Sequence, residues 1–351
     1  MVHQRFPTPA VGMLMFCAVV SCSVTGRCED EEPTPPLGLP PVYYPDDNLY
    51  SKERAALGKL LYFDKRLSSD GTVSCSSCHL VKYAFTDGAA VATGINGQTG
   101  GRSAPTAINR GYSTAQFWDG RAPSLEAQAI GPIASPIEMT NEKDPERAHQ
   151  TCVDRLHKVP EYRARFSKAY GDENFTIEDV GKAIATFERT IMSGNSPFDR
   201  YKNGAKDAMS ASAIRGKDIF FNKTACDSCH LGFNFTDGSY ANIGIGMDKP
   251  SPDLGRYVVS KREEDKGAFK TPTLREIEHT GPYMHDGRLK TLEEVIEHYD
   301  KGGIANPYLD ERLKPLKLSK QDKQDLVAFL KSLSGEGWRM KPPASFPPSK
   351  E

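Results

Sequence analysis

Two short runs of this chain could do chemistry on their own. Cys75-Ser76-Ser77-Cys78-His79 sets two thiols and an imidazole within five residues, and Cys226-Asp227-Ser228-Cys229-His230 repeats the pattern. Thiols at this spacing can add across the two vinyl groups of one porphyrin. The histidine that follows then lies under the iron as its proximal ligand. The pattern therefore reads as two sites for a covalently attached haem c. The plainer alternative is a redox dithiol or half of a zinc site. Zinc normally wants the cysteine pairs closer together, with further Cys or His ligands between them.

Each such iron needs a sixth ligand or an open face, and that choice separates an electron carrier from an enzyme. Outside the N-terminal leader and the two proximal positions, the histidines are His149, His157, His279, His285 and His298. Leu292, Val295, Ile296 and Tyr299 recur at helical spacing and form one apolar face. His298 lies about 100° from Tyr299 on that helix. If the helix faces the second haem, Tyr299 is the residue aimed inward; the other reading is a core tyrosine with its hydroxyl satisfied. A second stretch, from Phe117 to Met139, holds Trp118, one of only two tryptophans. Pro132 and Pro136 interrupt it, so Gln128 and Glu138 are expected on a loop wall rather than a helix. Glu138 stands between Ile137 and Met139, an apolar setting that would raise its pKa and suit it to acid–base work. A solvated surface glutamate is the competing reading.

The elements that must position these residues are mostly helical. Helices are expected from Lys52 to Phe63, Asp144 to Tyr170, Thr176 to Met192, Leu292 to Tyr299 and Ser319 to Leu333. Ile177, Val180, Ile184 and Phe187 make a core stripe, and Ser319 with Asp322 signals an N-cap. An internal repeat links the two halves. Gly58-Lys59-Leu60-Leu61-Tyr62-Phe63-Asp64-Lys65 parallels Gly216-Lys217-Asp218-Ile219-Phe220-Phe221-Asn222-Lys223. Phe85-Thr86-Asp87-Gly88 parallels Phe235-Thr236-Asp237-Gly238. The fold class is therefore all-α: two tandem cytochrome c-like helical domains, each with one covalently bound haem.

The expected divisions are a signal peptide at 1–28, a proline-rich linker at 29–48, a first haem domain at 49–204, a second at 205–337 and a tail at 338–351. The 351 residues suffice for two such cores. A net charge of -1 suggests no nucleic-acid partner. In the leader, His3 and Arg5 precede an apolar run from Ala10 to Val20, too short for a membrane span. Export to the periplasm follows, with a lipid anchor at Cys22 as a weaker match. No later stretch reads as transmembrane. Cys17, Cys22 and Cys28 fall in the leader, and Cys152 is expected as a buried free thiol.

The chain resembles the bacterial di-haem cytochrome c peroxidases and the related MauG enzymes from about Leu49 to Leu333. The resemblance rests on both C-x-x-C-H sites, F-W-D-G-R, A-Q-x-x-G-P with a following E-M, T-P-T-L-R, and P-Y-M-H-D-G followed by T-L-E-E. It implies that His79 is proximal to the peroxide-reacting haem and His230 to an electron-transfer haem. Gln128, Pro132 and Glu138 match the distal pocket, with Glu138 as acid–base catalyst. Trp118 matches the tryptophan between the haems. Thr280 and Pro282 match carbonyl ligands of an inter-domain calcium ion (Ca2+), whose third ligand, an asparagine in the family, aligns with Ser103.

Two departures point to the MauG-like subgroup. Where the typical peroxidase has an axial methionine on the second haem, this chain has Tyr299, the residue also picked by helix phase. Where the typical peroxidase has a histidine that closes the first iron, this chain has Ile95-Asn96-Gly97. The implied function is reduction of hydrogen peroxide to water with electrons from a redox protein partner, either a small cytochrome c, a cupredoxin or a protein substrate oxidised on an aromatic residue. A plain di-haem electron carrier stays as the alternative of another class. The residues leave open whether the chain forms a homodimer.

Overall fold

The structure is a computed structural model that describes residues 30–348. The expected leader and the lipid-anchor candidate Cys22 lie outside the described residues.

Helix α1 (Lys52–Phe63) starts where Ser51 accepts the Arg54 N–H, and it ends at Asp64. Short α2 (Cys75–Cys78) carries the first thiol pair. After a long irregular stretch come α3 (Leu125–Ile130), α4 (Pro145–His157), α5 (Pro160–Tyr170) and α6 (Ile177–Glu188). The single helix expected over 144–170 is two helices. Val159 is extended and Pro160 takes the first position of α5, because the residue before a proline is driven out of the helical region. Likewise α6 stops at Glu188, short of the expected Met192.

The second half begins with α7 (Pro197–Lys202) and α8 (Ala211–Asp218), and α8 runs on into a wider turn over Ile219–Lys223. Then follow β1 (Tyr240–Ala241), α9 (Tyr257–Ser260), β2 (Phe269–Lys270), α10 (Leu292–Asp300) and α11 (Lys320–Lys331). β1 and β2 pair antiparallel and are the only strands among the described residues. No helix there is long and apolar enough to cross a membrane.

Two apolar cores follow from this order. In the first, α1 crosses α6, and Leu57, Leu61 and Tyr62 meet Val180, Ile184 and Phe187. The second joins α8, α10 and α11 through Phe220, Phe235, Leu292, Ile296 and Phe329. The repeated glycines explain how close the crossings are. A Cβ at Gly58 would lie 1.8 Å from the Ala183 carbonyl oxygen, and one at Gly216 would lie 1.9 Å from that of Asp325. Gly58→Ala should therefore destabilise the protein. Overpacking costs about 1–3 kcal/mol or more, which exceeds the ~1 kcal/mol that alanine gains in helix propensity. Thermal unfolding should show a lower midpoint; an unchanged one would mean that the crossing can open freely.

The proline-rich linker is extended, as its composition dictates, but it does not hang free. Leu37 O accepts the Asn195 N–H at 2.7 Å. Gly38 sits so tightly on Asp199 that a Cβ would lie 2.2 Å from its carboxylate. Asp199 is paired with Arg275 at 2.8 Å, both side chains buried. The tail returns to the first core: Trp338 packs edge-on to Phe85, and Pro347 O accepts from Arg66 at 2.7 Å. Cys152 is a fully buried free thiol, as expected.

Candidate haem sites

Each C-x-x-C-H run closes one helical turn. His79 N–H donates to Cys75 O and His230 N–H to Cys226 O, both at 3.0 Å. The four cysteines are free and half-buried. The repeated F-T-D-G supplies the next layer. Phe85 and Phe235 both hold positive φ (59° and 51°), which turns their carbonyls onto the histidines. His79 Nδ1 lies 3.1 Å from Phe85 O and His230 Nδ1 lies 3.0 Å from Phe235 O. A carbonyl can only accept, so Nδ1 carries the proton and Nε2 keeps its lone pair for a metal. Burial, first among the causes, holds both imidazoles below their usual pKa and so neutral.

A cavity of about 250 Å³ opens beside His230. Cys226, Cys229, His230 and Tyr299 line it, together with Leu292, Val295 and Ile296. One face of α10 therefore lines this cavity. His298 faces elsewhere, 3.0 Å from Ile243 O. Among the described residues the Tyr299 hydroxyl has no hydrogen-bond partner, and burial keeps the phenol protonated well above its usual range. The remaining histidines have other neighbours. His149 bonds Ile130 O at 2.9 Å, and His157 stacks on Phe175. His279 lies beside Glu276 and Trp338. His285 lines the cavity wall, stacked on Phe269 with 3.6 Å between ring centres.

Trp118 stands at the seam of the two halves. Its indole N–H donates to Ser103 O at 2.9 Å, and its own carbonyl accepts the Lys270 N–H at 2.8 Å. It also lines the cavity, as do Ser103, Thr280 and Pro282.

On the first half, Gln128 lies in α3 and not on a loop wall. The helix fits between its N-cap Ser124 and Pro132, and only Glu138 is left in the irregular turn beyond. Glu138 is partly exposed. Burial raises its carboxyl pKa, while the charge of Arg121 restrains the rise. Arg121 lies over the Phe117 ring at 3.5 Å, and that ring packs on Gly131 at the end of α3. Burial, then the charge of Asp87 and last that of Glu138, pushes the Cys78 thiol up, which places Glu138 near that thiol. Phe117, Arg121, α3, Glu138 and Cys78 therefore share one region.

The internal repeat reaches further than its obvious parts. Pro105-Thr106 matches Pro272-Thr273: Thr106 Oγ1 donates to Ala84 O (2.6 Å) and Thr273 Oγ1 to Asn234 O (2.7 Å). Phe117-Trp118-Asp119-Gly120-Arg121 matches Met284-His285-Asp286-Gly287-Arg288. Both first residues have positive φ, and single bridges close both turns, Gln116 to Ala122 and Tyr283 to Leu289. Ser124 caps α3 as Thr291 caps α10. Carried along without insertion, Trp118 is the counterpart of His285, Gln128 of Val295, and Pro132 of Tyr299. Val295 and Tyr299 line the cavity beside His230, and Gln128 and Pro132 are their counterparts by position in the first half. The signal was the D-G-R triplet, present twice in the sequence.

These features define a class: an all-α protein of two tandem cytochrome c-type domains, each with a thiol pair and a neutral histidine ready for haem. Comparison with known proteins agrees. Residues 52–207 match the family described as di-haem cytochrome c peroxidase, and residues 213–334 match cytochrome c. The methylamine utilization protein MauG of Methylorubrum extorquens is 43% identical over 298 residues, 84% of this chain and 82% of that protein. The cytochrome-c peroxidase IdrP1 of a Pseudomonas species is 37% identical, covering 91% of each chain. A solved MauG-like protein associated with microbial copper homeostasis superposes with a TM-score of 0.80 at 33% identity, covering 88% of this chain and 96% of that one. The chain belongs to the di-haem cytochrome c peroxidase and MauG family, whose members are oxidoreductases acting on peroxide and carry two covalently bound haem c groups.

Proposed function

We propose that this chain is a periplasmic di-haem peroxidase of the MauG-like kind, with its peroxide-reacting haem in the region 49–204 and its electron-transfer haem in 205–337. The residues present fit two haems. Each thiol pair is free, each following histidine is neutral with Nε2 available, and the second has a phenol without a partner across its cavity. Cys75, Cys78 and His79 hold the first haem; Cys226, Cys229, His230 and Tyr299 hold the second. When bound, the haems supply the metal site for breaking the O–O bond of hydrogen peroxide and the electrons for reducing it to water.

The protein's own part is binding and proton transfer. Glu138 accepts a proton from one peroxide oxygen and returns it to the other, so that one oxygen departs as water; the other is released as a second water once two protons and two electrons from the reducing partner have been taken up. Gln128 orients the peroxide with its amide. Pro132 has no group to offer a metal where its counterpart Tyr299 offers a phenol, so peroxide meets an open face. Trp118, bonded to both halves, bridges the two sites. Thr280, Pro282 and Ser103 carry the family's calcium expectation; their carbonyls and hydroxyl are chemically suited to that ion.

Tyr299 is the observation that carries the MauG-like version, in which the reductant is an aromatic side chain of a partner protein. The competing version takes electrons from a small cytochrome or cupredoxin, and the relatives named cytochrome-c peroxidase favour it. Both need one open iron. The resting ferric protein should therefore show mixed high- and low-spin absorbance and react on addition of hydrogen peroxide without prior reduction. A wholly low-spin, unreactive protein would be an electron carrier instead.

A further inference from the structure

A buried lysine and a half-buried arginine at the seam of the two halves have no acidic partner among the described residues. Lys270 follows Phe269 in β2, its side chain only 5% exposed. Among the described residues its ammonium makes neither a hydrogen bond nor an ion pair. Burial, with the charge of nearby Arg110 adding to it, pushes its pKa down to about 6. Arg110 is half-buried beside it. Its guanidinium bonds only neutral acceptors, Gln116 Oε1 at 2.9 and 2.6 Å and Ala115 O at 3.3 Å. Glu188 attracts it but makes no ion pair with it, and Glu188 Oε2 is itself buried without a partner. Neither side chain therefore has a carboxylate paired with it among the described residues.

Lys270 and Arg110 both line the cavity that holds Cys226, Cys229, His230 and Tyr299. Two other cations line it. Arg312 is paired with Asp310 at 2.7 Å and bonds Ser228 O, which places it at the cysteine edge. Lys314 is exposed to solvent. A haem tied to Cys226 and Cys229 through its vinyl groups turns its two propionates away from those cysteines. Besides Arg312 and Lys314, the wall holds the buried Lys270 and the half-buried Arg110.

We propose that Lys270, backed by Arg110, binds a propionate carboxylate of the second haem. The ammonium is the anchor and the guanidinium makes the surrounding field more positive. Lys270 also gives its backbone N–H to Trp118, so the anchor fixes that edge of the haem against the residue that bridges the halves. The inference rests on the haem assignment made above.

Lys270→Met, nearly the same shape without the charge, and Lys270→Arg test it in the holoprotein. A positive charge beside a haem favours its reduced form. The methionine variant should therefore show a lower midpoint potential for the second haem, and its resonance Raman propionate-bending band should move toward that of an unbound propionate. The arginine variant should restore both. Unchanged potential and band in a methionine variant that keeps both haems would overturn the assignment. If that variant does not fold, the unaltered protein answers: a propionate band that shifts on transfer to D2O reports bound N–H donors, and an insensitive band overturns the proposal. Fewer than two haems per chain in the unaltered protein would overturn the haem assignment instead, which separates the two failures.

Discussion

Glu138→Gln should slow the reaction with hydrogen peroxide by roughly 10²–10⁴-fold, the usual worth of a positioned acid–base group. Glutamine keeps the size and polarity of the side chain but cannot carry the proton. The turn that presents it is held firmly. Ile95 N–H donates to Glu138 O at 2.9 Å, Gln98 Nε2 donates to Pro136 O at 2.9 Å, and Gly94 packs so closely that a Cβ would lie 2.1 Å from Ile137 O. A rate loss could thus be read as lost chemistry rather than a displaced loop. The pH profile supplies a second readout. Burial raises the Glu138 pKa and Arg121 opposes it. The group must be ionised to accept a proton, so activity falls on the acid side, as pH drops through that raised pKa. Arg121→Gln removes the opposing charge, raises the pKa further and should move this acid limb to higher pH. Stopped-flow mixing with peroxide across pH checks both variants. An unaltered rate in Glu138→Gln would return Glu138 to the role of a surface residue.

What the sequence made legible was what local rules govern. The span of α1 follows from a serine cap and an apolar face, and α11 from Ser319 with Asp322. Tyr299 could be placed because a helix of known period fixes which side chains share its face. Where the structure departs from local expectation, the cause is also local: the Pro160 ring forces Val159 out of the helix and splits 144–170 in two, and Pro132 ends α3 without preventing it. The features that escaped depend on distant segments meeting. The linker's hold on Asp199, the return of Trp338 to the first core and the isolation of Lys270 each join residues far apart in the chain. No periodicity encodes those. The equivalence of Pro132 and Tyr299 is an intermediate case, because it was written in the sequence but needed the paired turns and caps to fix its register.

Tyr299→Met should raise the midpoint potential of the second haem, by an amount on the order of hundreds of millivolts, since axial ligands alone span close to a volt among haem proteins. The reason lies in donor hardness. A phenolate oxygen is hard and charged and stabilises ferric and higher states; a thioether is soft and neutral and stabilises ferrous iron. The site supports this use of the tyrosine. The Tyr299 hydroxyl faces the cavity that contains His230 and has no hydrogen bond among the described residues, and burial alone would hold its proton tightly. Only a metal, which reverses the local preference for the neutral form, would make the anion favourable there. Methionine needs no proton to leave, and with its shorter side chain on the iron the variant should be six-coordinate and low-spin while its potential climbs. Tyr299→Phe keeps the ring and removes the donor; it should turn the second haem high-spin. If spectroelectrochemistry gave the same potential for all three proteins and no change of spin state, the phenol would be a packing residue. The second haem would then need another ligand, and the case for a MauG-like reductant would fall with it.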